Sequence, residues 1–333
     1  MDLPVPAIGP DEALLRVRSA AICGTDIKIL HHGHRKLAPD QRIVLGHEFA
    51  GTIAKVGVRV HGLTVGMRVG LAPNWGCGRC QACIRGMDNL CPDFSAFGIN
   101  VDGAHAGYVR IPAEPIARGN WIEIPEGVPW DEAALAEPLA CVLNGQRSVR
   151  LAPGERVLIY GAGPMGILHL LLARASGAAC VIVVDPDARR LKKASELGAD
   201  AVINNRRKSV GRSLQKICRE GRVDVAIIAA PVREVAEEAL GLLSPLGRLC
   251  LFAGLSGNGG ATFDANAVHY RNLTITGVTG GSAADYRVAL NLIAARRVDV
   301  RPVISHRFAL NRMAAAYDNA VKGKGLKTIL MGS

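Results

Sequence analysis

Arg156-Val157-Leu158-Ile159-Tyr160-Gly161-Ala162-Gly163-Pro164-Met165-Gly166 decides the architecture of this chain: an apolar run, three glycines and a helical pattern from Pro164 to Ser176 follow one another in that order. Cys180 to Asp185 reads as a second buried strand, and its terminal acid stands nineteen residues beyond Gly166. A glycine-rich turn alone says little. Strand, glycines, helix, strand and acid in succession are what a dinucleotide site requires. The glycines permit a tight turn and let a pyrophosphate approach the helix N-terminus, where unpaired N–H groups and the helix dipole favour negative charge. Gly161, Gly163, Pro164, Met165, Gly166 and Asp185 are therefore the candidate cofactor-binding residues, with Arg190 beside them. Asp185 can accept hydrogen bonds from both ribose hydroxyls and would repel a 2′-phosphate, so the expected cofactor is NAD rather than NADP. Arg189 and Arg190 weaken that preference.

Strand-like and helix-like stretches keep alternating downstream. A helix is expected over Ala188 to Leu197, and strands over Ala201 to Asn204, Val223 to Ala229, Arg248 to Ala253 and Leu273 to Thr276. Such alternation with β-branched apolar strands predicts a doubly wound parallel sheet, and an α/β chain overall. The preceding segment differs. Ala13 to Val17, Gly51 to Val56 and Arg68 to Leu71 are short valine-rich pieces between glycine and proline turns, the pattern of an irregular, mostly antiparallel β domain. Ala133 to Val149 has helical spacing but contains Pro138, so a break or restart is expected near Glu137. The tail carries two amphipathic patterns, near Asp285 to Arg297 and Leu310 to Lys322, and a final apolar strand at Thr328 to Met331.

Cys77, Cys80, Cys83 and Cys91 form a C-x2-C-x2-C-x7-C run in a lobe over residues 75–92. Four thiolates at that spacing can surround one tetrahedral zinc ion, and an all-cysteine site has no open position and is structural. Disulfide pairing is the competing reading; the five other scattered cysteines and the lack of an apolar leader run after Met1 favour metal and a cytoplasmic setting. A second donor set is dispersed: Cys23 in Cys23-Gly24-Thr25-Asp26, and His47 and Glu48 in Gly46-His47-Glu48. One cysteine, one histidine and one carboxylate can hold zinc and leave a position for water or substrate. Taken singly, each also reads as a core thiol, a turn histidine or a surface acid. The formal charge of +11 is dispersed, and only 4% of residues are aromatic, so no nucleic-acid motif accompanies it. No membrane span is expected from the short, interrupted apolar runs.

Gly46-His47-Glu48-x2-Gly51-x5-Gly57-x2-Val60 resembles the signature of zinc-containing alcohol dehydrogenases of the medium-chain dehydrogenase/reductase superfamily. The four-cysteine lobe and the Gly161 to Asp185 unit follow in that family's order, so the resemblance covers nearly the whole chain. It implies a GroES-like catalytic domain over residues 1–137 and 281–333, a Rossmann NAD-binding domain over residues 138–280, two zinc ions per chain, and a homodimer or homotetramer. It also implies that Cys23, His47 and Glu48 are catalytic-zinc ligands, with Asp26 orienting His47. Glu137-Pro138-Leu139-Ala140 resembles the polyol branch, which includes sorbitol (L-iditol) and threonine dehydrogenases. Ethanol-type members have a cysteine ligand in this region; here Glu137 should bind zinc or its water, exchanging with Glu48, while Cys141 is the competing candidate.

The implied activity is hydride transfer from the secondary alcohol of a polyol or cyclitol to NAD, with zinc as Lewis acid and Thr25 as first proton relay. Threonine or sugar-phosphate oxidation is the alternative within the superfamily. A zinc-lobed nucleic-acid-binding or regulatory protein is the alternative from another class. Two departures stand out. Judged by the resemblance, the chain is expected to be about twenty residues short of its relatives ahead of Ala13 to Val17, and Lys28 occupies a position where many relatives have a proton-path histidine. Lys28 suits cofactor ribose, a substrate anion or the proton path, and His31, His32 and His34 lie close enough in sequence to replace the imidazole.

Overall fold

A computed structural model describes residues 3–38, 41–218, 220–256 and 259–332. It divides into two units, Met1–Cys141 with Gly281–Ser333, and Val142–Gly280. The division falls four residues beyond Glu137, within a continuous helix. The helix Trp130–Ala134 stops at Leu135 and a new one, Ala136–Ser148, starts at once. Pro138 thus sits in a first turn, where its missing N–H has no intrahelical partner to lose.

In the second unit six strands run in the order Ala201–Ile203, Cys180–Val184, Arg156–Tyr160, Val223–Ile228, Leu243–Leu251 and Thr274–Gly277. Every pairing is parallel. Continuous apolar runs suit that arrangement because helices cover both faces of a parallel sheet: Val157 to Ile159, Val181 to Val183 and Val225 to Ile228 have no exposed surface. Numbered along the chain, the strand order is 3-2-1-4-5-6, and the direction of winding reverses beside Arg156–Tyr160. The turn at the end of that strand is Gly161 to Gly163, so the sheet places it where such folds bind nucleotides. The helices Val210–Ile217, Arg233–Gly241 and Ala265–Arg271 complete the alternation.

The first unit is built around Ala13–Ala21. Glu48–Val56 pairs antiparallel along its whole length, while Tyr108–Ile111 and Lys327–Met331 share its other edge. Arg68–Leu71 and Trp121–Glu123 extend one side, and Ile304–Ala309 extends the other by parallel pairing to Lys327–Met331. Leu15, Val17, Phe49, Ile53, Val69, Leu71, Phe97 and Ile111 form its core. The C-terminal strand therefore belongs to the same sheet as the first strand, and Ala21 is paired with Glu48 on one side and Ile329 on the other. Among the described residues no helix is long and apolar enough to cross a membrane.

His169 lies on the Pro164–Ala175 helix without exposed surface, edge-on to Phe252 with 4.5 Å between ring centroids. Burial holds its pKa down at about 3. The unfolded chain takes up that proton near pH 6.5, so the stability it contributes is complete above about 6.5 and is lost as pH falls towards 3. Replacing His169 with leucine should flatten the acid dependence of unfolding by up to about 1.4 kcal/mol per pH unit within that window. Urea unfolding of both proteins at pH 7 and pH 5 checks this; identical slopes would contradict it.

Candidate metal and dinucleotide sites

The strand Ala13–Ala21 runs directly into Cys23, which caps the helix Gly24–His32. Asp26 in the first turn of that helix accepts the Cys23 N–H through Oδ2 at 2.8 Å, a capping-box contact that fixes the start of the helix. Its other oxygen accepts the Gly46 N–H at 3.2 Å and lies 3.3 Å from His47 Nδ1, within ion-pair range but outside hydrogen-bond geometry. Asp26 has no exposed surface. Burial works to raise its pKa, yet His47 and the backbone contacts prevail and hold it at about 2. Gly46 adopts φ +97°, and a Cβ there would lie 2.4 Å from the His105 ring. That glycine is required because the histidine loop passes so close to His105.

One ligand atom from each of Cys23, His47 and Glu48 lies within 4.8 Å of the other two, close enough to share one cation. Glu137 is outside that trio but within its electrostatic reach. Burial and the Glu48 carboxylate push its pKa up to about 7, against the pull of His47 and Lys327. The Cys141 thiol donates to Glu137 Oε1 at 3.4 Å, and burial holds that thiol well above its usual pKa. Cys141 thus stands as a protonated donor behind Glu137.

Two contributors carried no sequence signal. Lys327 Nζ donates to both oxygens of Glu48, with 2.6 Å to Oε2, and the two residues are 3% and 1% exposed. They are 279 positions apart, brought together because their strands flank Ala13–Ala21. Breaking such a buried pair by removing one partner costs about 3–5 kcal/mol. His105 is the other: its Nε2 lies 3.2 Å from the Ala21 carbonyl and its Nδ1 2.8 Å from the Tyr317 hydroxyl. The ring thereby ties the chain leading to Cys23 to the helix Met313–Val321, while the His105 backbone N–H donates to the Leu45 carbonyl in the loop leading to His47.

Lys28 is exposed on the outer face of its helix, as are His31 and His32, while His34 accepts the Lys36 N–H. Thr25 is partly buried beside Cys23, its N–H 3.5 Å from the sulfur. The cysteine lobe lies between two short paired strands, Asn74–Trp75 and Ser95–Ala96. Its four sulfurs all lie within 4.8 Å of one another. A Cβ at Gly76 would lie 2.3 Å from Cys83 Sγ, so the backbone must pass there bare. The N–H groups of Arg79 and Cys80 hold the Cys77 thiol down at about 6, whereas burial pushes Cys83 up to about 12. The geometry suits a tetrahedral thiophilic ion, which draws off the remaining thiol protons as it binds.

In the second unit a Cβ at Gly166 would lie 1.8 Å from the Gly161 carbonyl oxygen, so the helix packs onto the turn only with glycine there. Gly163 caps Pro164–Ala175 with no side-chain hydrogen bond, which leaves the first-turn N–H groups for an anion. Asp185 is buried; it accepts the Ala162 N–H through Oδ2 at 2.8 Å and the Asp187 N–H through Oδ1 at 2.7 Å. Its carboxylate thus fixes the glycine turn. Arg189 pairs with Asp187 at 3.1 Å, while the Arg190 guanidinium reaches to 3.9 Å from where a Gly163 Cβ would stand.

A closed cysteine site and an open three-donor site on a GroES-like unit, with a glycine turn on a Rossmann sheet, define a zinc-dependent, dinucleotide-linked oxidoreductase. The profile of the alcohol dehydrogenase GroES-like domain matches residues 9–126, and that of zinc-binding dehydrogenases matches residues 164–295. L-threonine 3-dehydrogenase of Pyrococcus furiosus is 32% identical, the match covering 99% of this chain and 94% of the relative. Sorbitol dehydrogenase of Bacillus subtilis is 31% identical over 97% of this chain and 90% of its own. The crystal structure of a zinc-binding dehydrogenase from Sinorhizobium meliloti 1021 bound to NADP superposes with a TM-score of 0.89 at 30% identity, covering 99% of this chain and 94% of that one. The chain belongs to the zinc-binding alcohol dehydrogenase family, whose members oxidise or reduce at CH–OH carbons.

The two donor sets give a metal-count prediction. Fully loaded protein should hold two zinc ions per chain by elemental analysis. Cys80→Ser should lose one ion and more than about 2 kcal/mol of stability, since a structural metal is part of the folding free energy. His47→Ala should lose the other and reduce turnover about a thousandfold or more while the fold persists. One zinc in the loaded parent would contradict the assignment.

Proposed function

We propose that this chain is a zinc- and NAD-dependent dehydrogenase that interconverts the secondary alcohol of a polyol or cyclitol with the corresponding ketone. The observation that carries the reading is the three-donor group Cys23, His47 and Glu48 with a further carboxylate, Glu137, within electrostatic reach. Cys23, His47 and one or both glutamates would hold the zinc, and Asp26, 3.3 Å from His47 Nδ1, would orient that ring. When bound, zinc supplies a Lewis acid that lowers the pKa of the substrate hydroxyl and favours loss of hydride. Thr25 takes the hydroxyl proton first, and exposed Lys28 or a neighbouring histidine passes it to solvent.

For the cofactor, the bare N-terminus of Pro164–Ala175 receives the pyrophosphate, Arg190 adds a positive charge beside it, and Asp185 accepts the ribose hydroxyls. NAD is the expected partner because the Asp185 carboxylate, held by two backbone N–H groups, would repel a 2′-phosphate. The structural neighbour bound to NADP makes this preference a point to measure. L-threonine is the second substrate reading, supported by the 32% identity to a threonine dehydrogenase. The Glu137-Pro138 pair and the sorbitol dehydrogenase relative support the polyol.

A panel of polyols, cyclitols, L-threonine and sugar phosphates with NAD, followed through NADH absorbance, should show turnover with a polyol or cyclitol, lost on chelation and regained with zinc. Turnover confined to L-threonine would transfer the assignment to that amino acid, and no alcohol-dependent reduction of either cofactor would overturn it. Asp185→Ala should weaken NAD binding and also loosen the glycine turn. The NADP-to-NAD ratio of kcat/KM, which cancels turn damage, should rise about tenfold, or about 1.4 kcal/mol. An unchanged ratio would remove Asp185 from cofactor selection.

A further inference from the structure

The strands Ala13–Ala21 and Glu48–Val56 are paired as far as Ala21 and Glu48. Beyond that pair the chain continues to Cys23 on one side and arrives from His47 on the other, so the spacing of these two donors depends on what crosses the gap. Asp26 makes one crossing, accepting the N–H groups of both Cys23 and Gly46. His105 makes a second. Its backbone N–H donates to the Leu45 carbonyl at 2.8 Å, beside bonds from Gly103 to Val44 and from Ala104 to Gly46. Gly98 and Gly103 press on the same loop: a Cβ on either would lie 2.7 or 2.2 Å from backbone atoms of Gly46. The segment carrying His105 and the segment entering His47 therefore move as one piece.

The His105 ring reaches the other segment. A carbonyl oxygen only accepts, so the 3.2 Å contact with Ala21 assigns the ring proton to Nε2. Burial lowers the ring's pKa and keeps it neutral, and Nδ1 then accepts from the Tyr317 hydroxyl at 2.8 Å. Tyr317, from the helix Met313–Val321, thus fixes the tautomer that holds Ala21. One link between two segments leaves a hinge; two fix both spacing and angle.

We propose that His105 is a positioning residue of the catalytic metal site, setting the distance between Cys23 and His47, and that Tyr317 acts through it by fixing the ring. The inference rests on the zinc-site reading above. Neither residue is among the three clustered donors. A histidine that only filled space would be replaced by phenylalanine at a cost in stability alone. A histidine that positions ligands would be missed at the metal, where losing an outer support typically weakens affinity about 10–100-fold.

The test uses full-length protein loaded with two cobalt ions per chain. His105→Phe keeps a ring against Gly46 and removes both ring-nitrogen bonds. It should shift the d–d bands of the catalytic cobalt and speed its removal by a chelator about tenfold, with a fall in turnover. The cobalt in the cysteine lobe should leave within about twofold of its parent rate. Removal of the catalytic ion accelerated less than about threefold, with unshifted bands, would overturn the proposal, as would equal acceleration at both sites. If His105→Phe does not fold, Tyr317→Phe decides: faster removal confined to the catalytic ion supports the positioning role, and unchanged bands and rates overturn it. A parent that takes up no second cobalt would overturn the zinc-site reading itself, and this proposal with it.

Discussion

The metal-binding unit depends on one electrostatic constraint: acids and a cysteine have been collected in a largely buried place, Asp26 and Glu48 almost wholly so, and they must be given cations. Asp26, Glu48 and Glu137 lie around Cys23 and His47, and burial opposes the charged form of each acid whose pKa is perturbed. Within the chain Lys327 answers one of these charges, and Asp26 is held anionic by His47 and by backbone N–H groups. The remainder is a site short of positive charge, the condition under which a divalent ion is bound strongly. The fold serves that arrangement: the ends of three neighbouring strands converge on Ala21, delivering Cys23, Glu48 and Lys327 from the two ends and the interior of the sequence.

The dinucleotide unit solves a different problem, close approach of a backbone to an anion. Its glycines are fixed by contact: Gly166 by the carbonyl of Gly161, and the turn as a whole by the buried Asp185, which holds Ala162 and Asp187 together. The same carboxylate is the expected reader of the ribose. On the proposed reading cofactor choice and turn geometry share one residue, so a change made there for specificity would also be felt in the local fold.

Much of this was legible in the sequence because the signals were local. The glycine turn, the strands on either side of it and the Cys77 to Cys91 run each occupy a short window whose spacing has one economical reading. The helix break was legible in kind but displaced, since Pro138 is tolerated in a first turn and the stop falls at Leu135. The helix Gly24–His32 was not anticipated, because its start depends on the Cys23–Asp26 capping box and its stop on Gly33, and not on a strong apolar period. Lys327 and His105 were invisible for a plainer reason. Their partners lie on other strands and loops, at separations that no periodicity encodes: the pairing of the first and last strands brings Lys327 to Glu48, and backbone hydrogen bonds from residues 103–105 to residues 44–46 bring His105 to Gly46.

Anomalous diffraction from crystals of the zinc-loaded protein, collected on both sides of the zinc absorption edge, tests the central claim most directly. The account predicts two peaks per chain, one enclosed by Cys77, Cys80, Cys83 and Cys91, and one touching Cys23 and His47 with Glu48 or Glu137 completing its protein ligands. A single peak in the cysteine lobe, with none between Cys23 and His47, would contradict it.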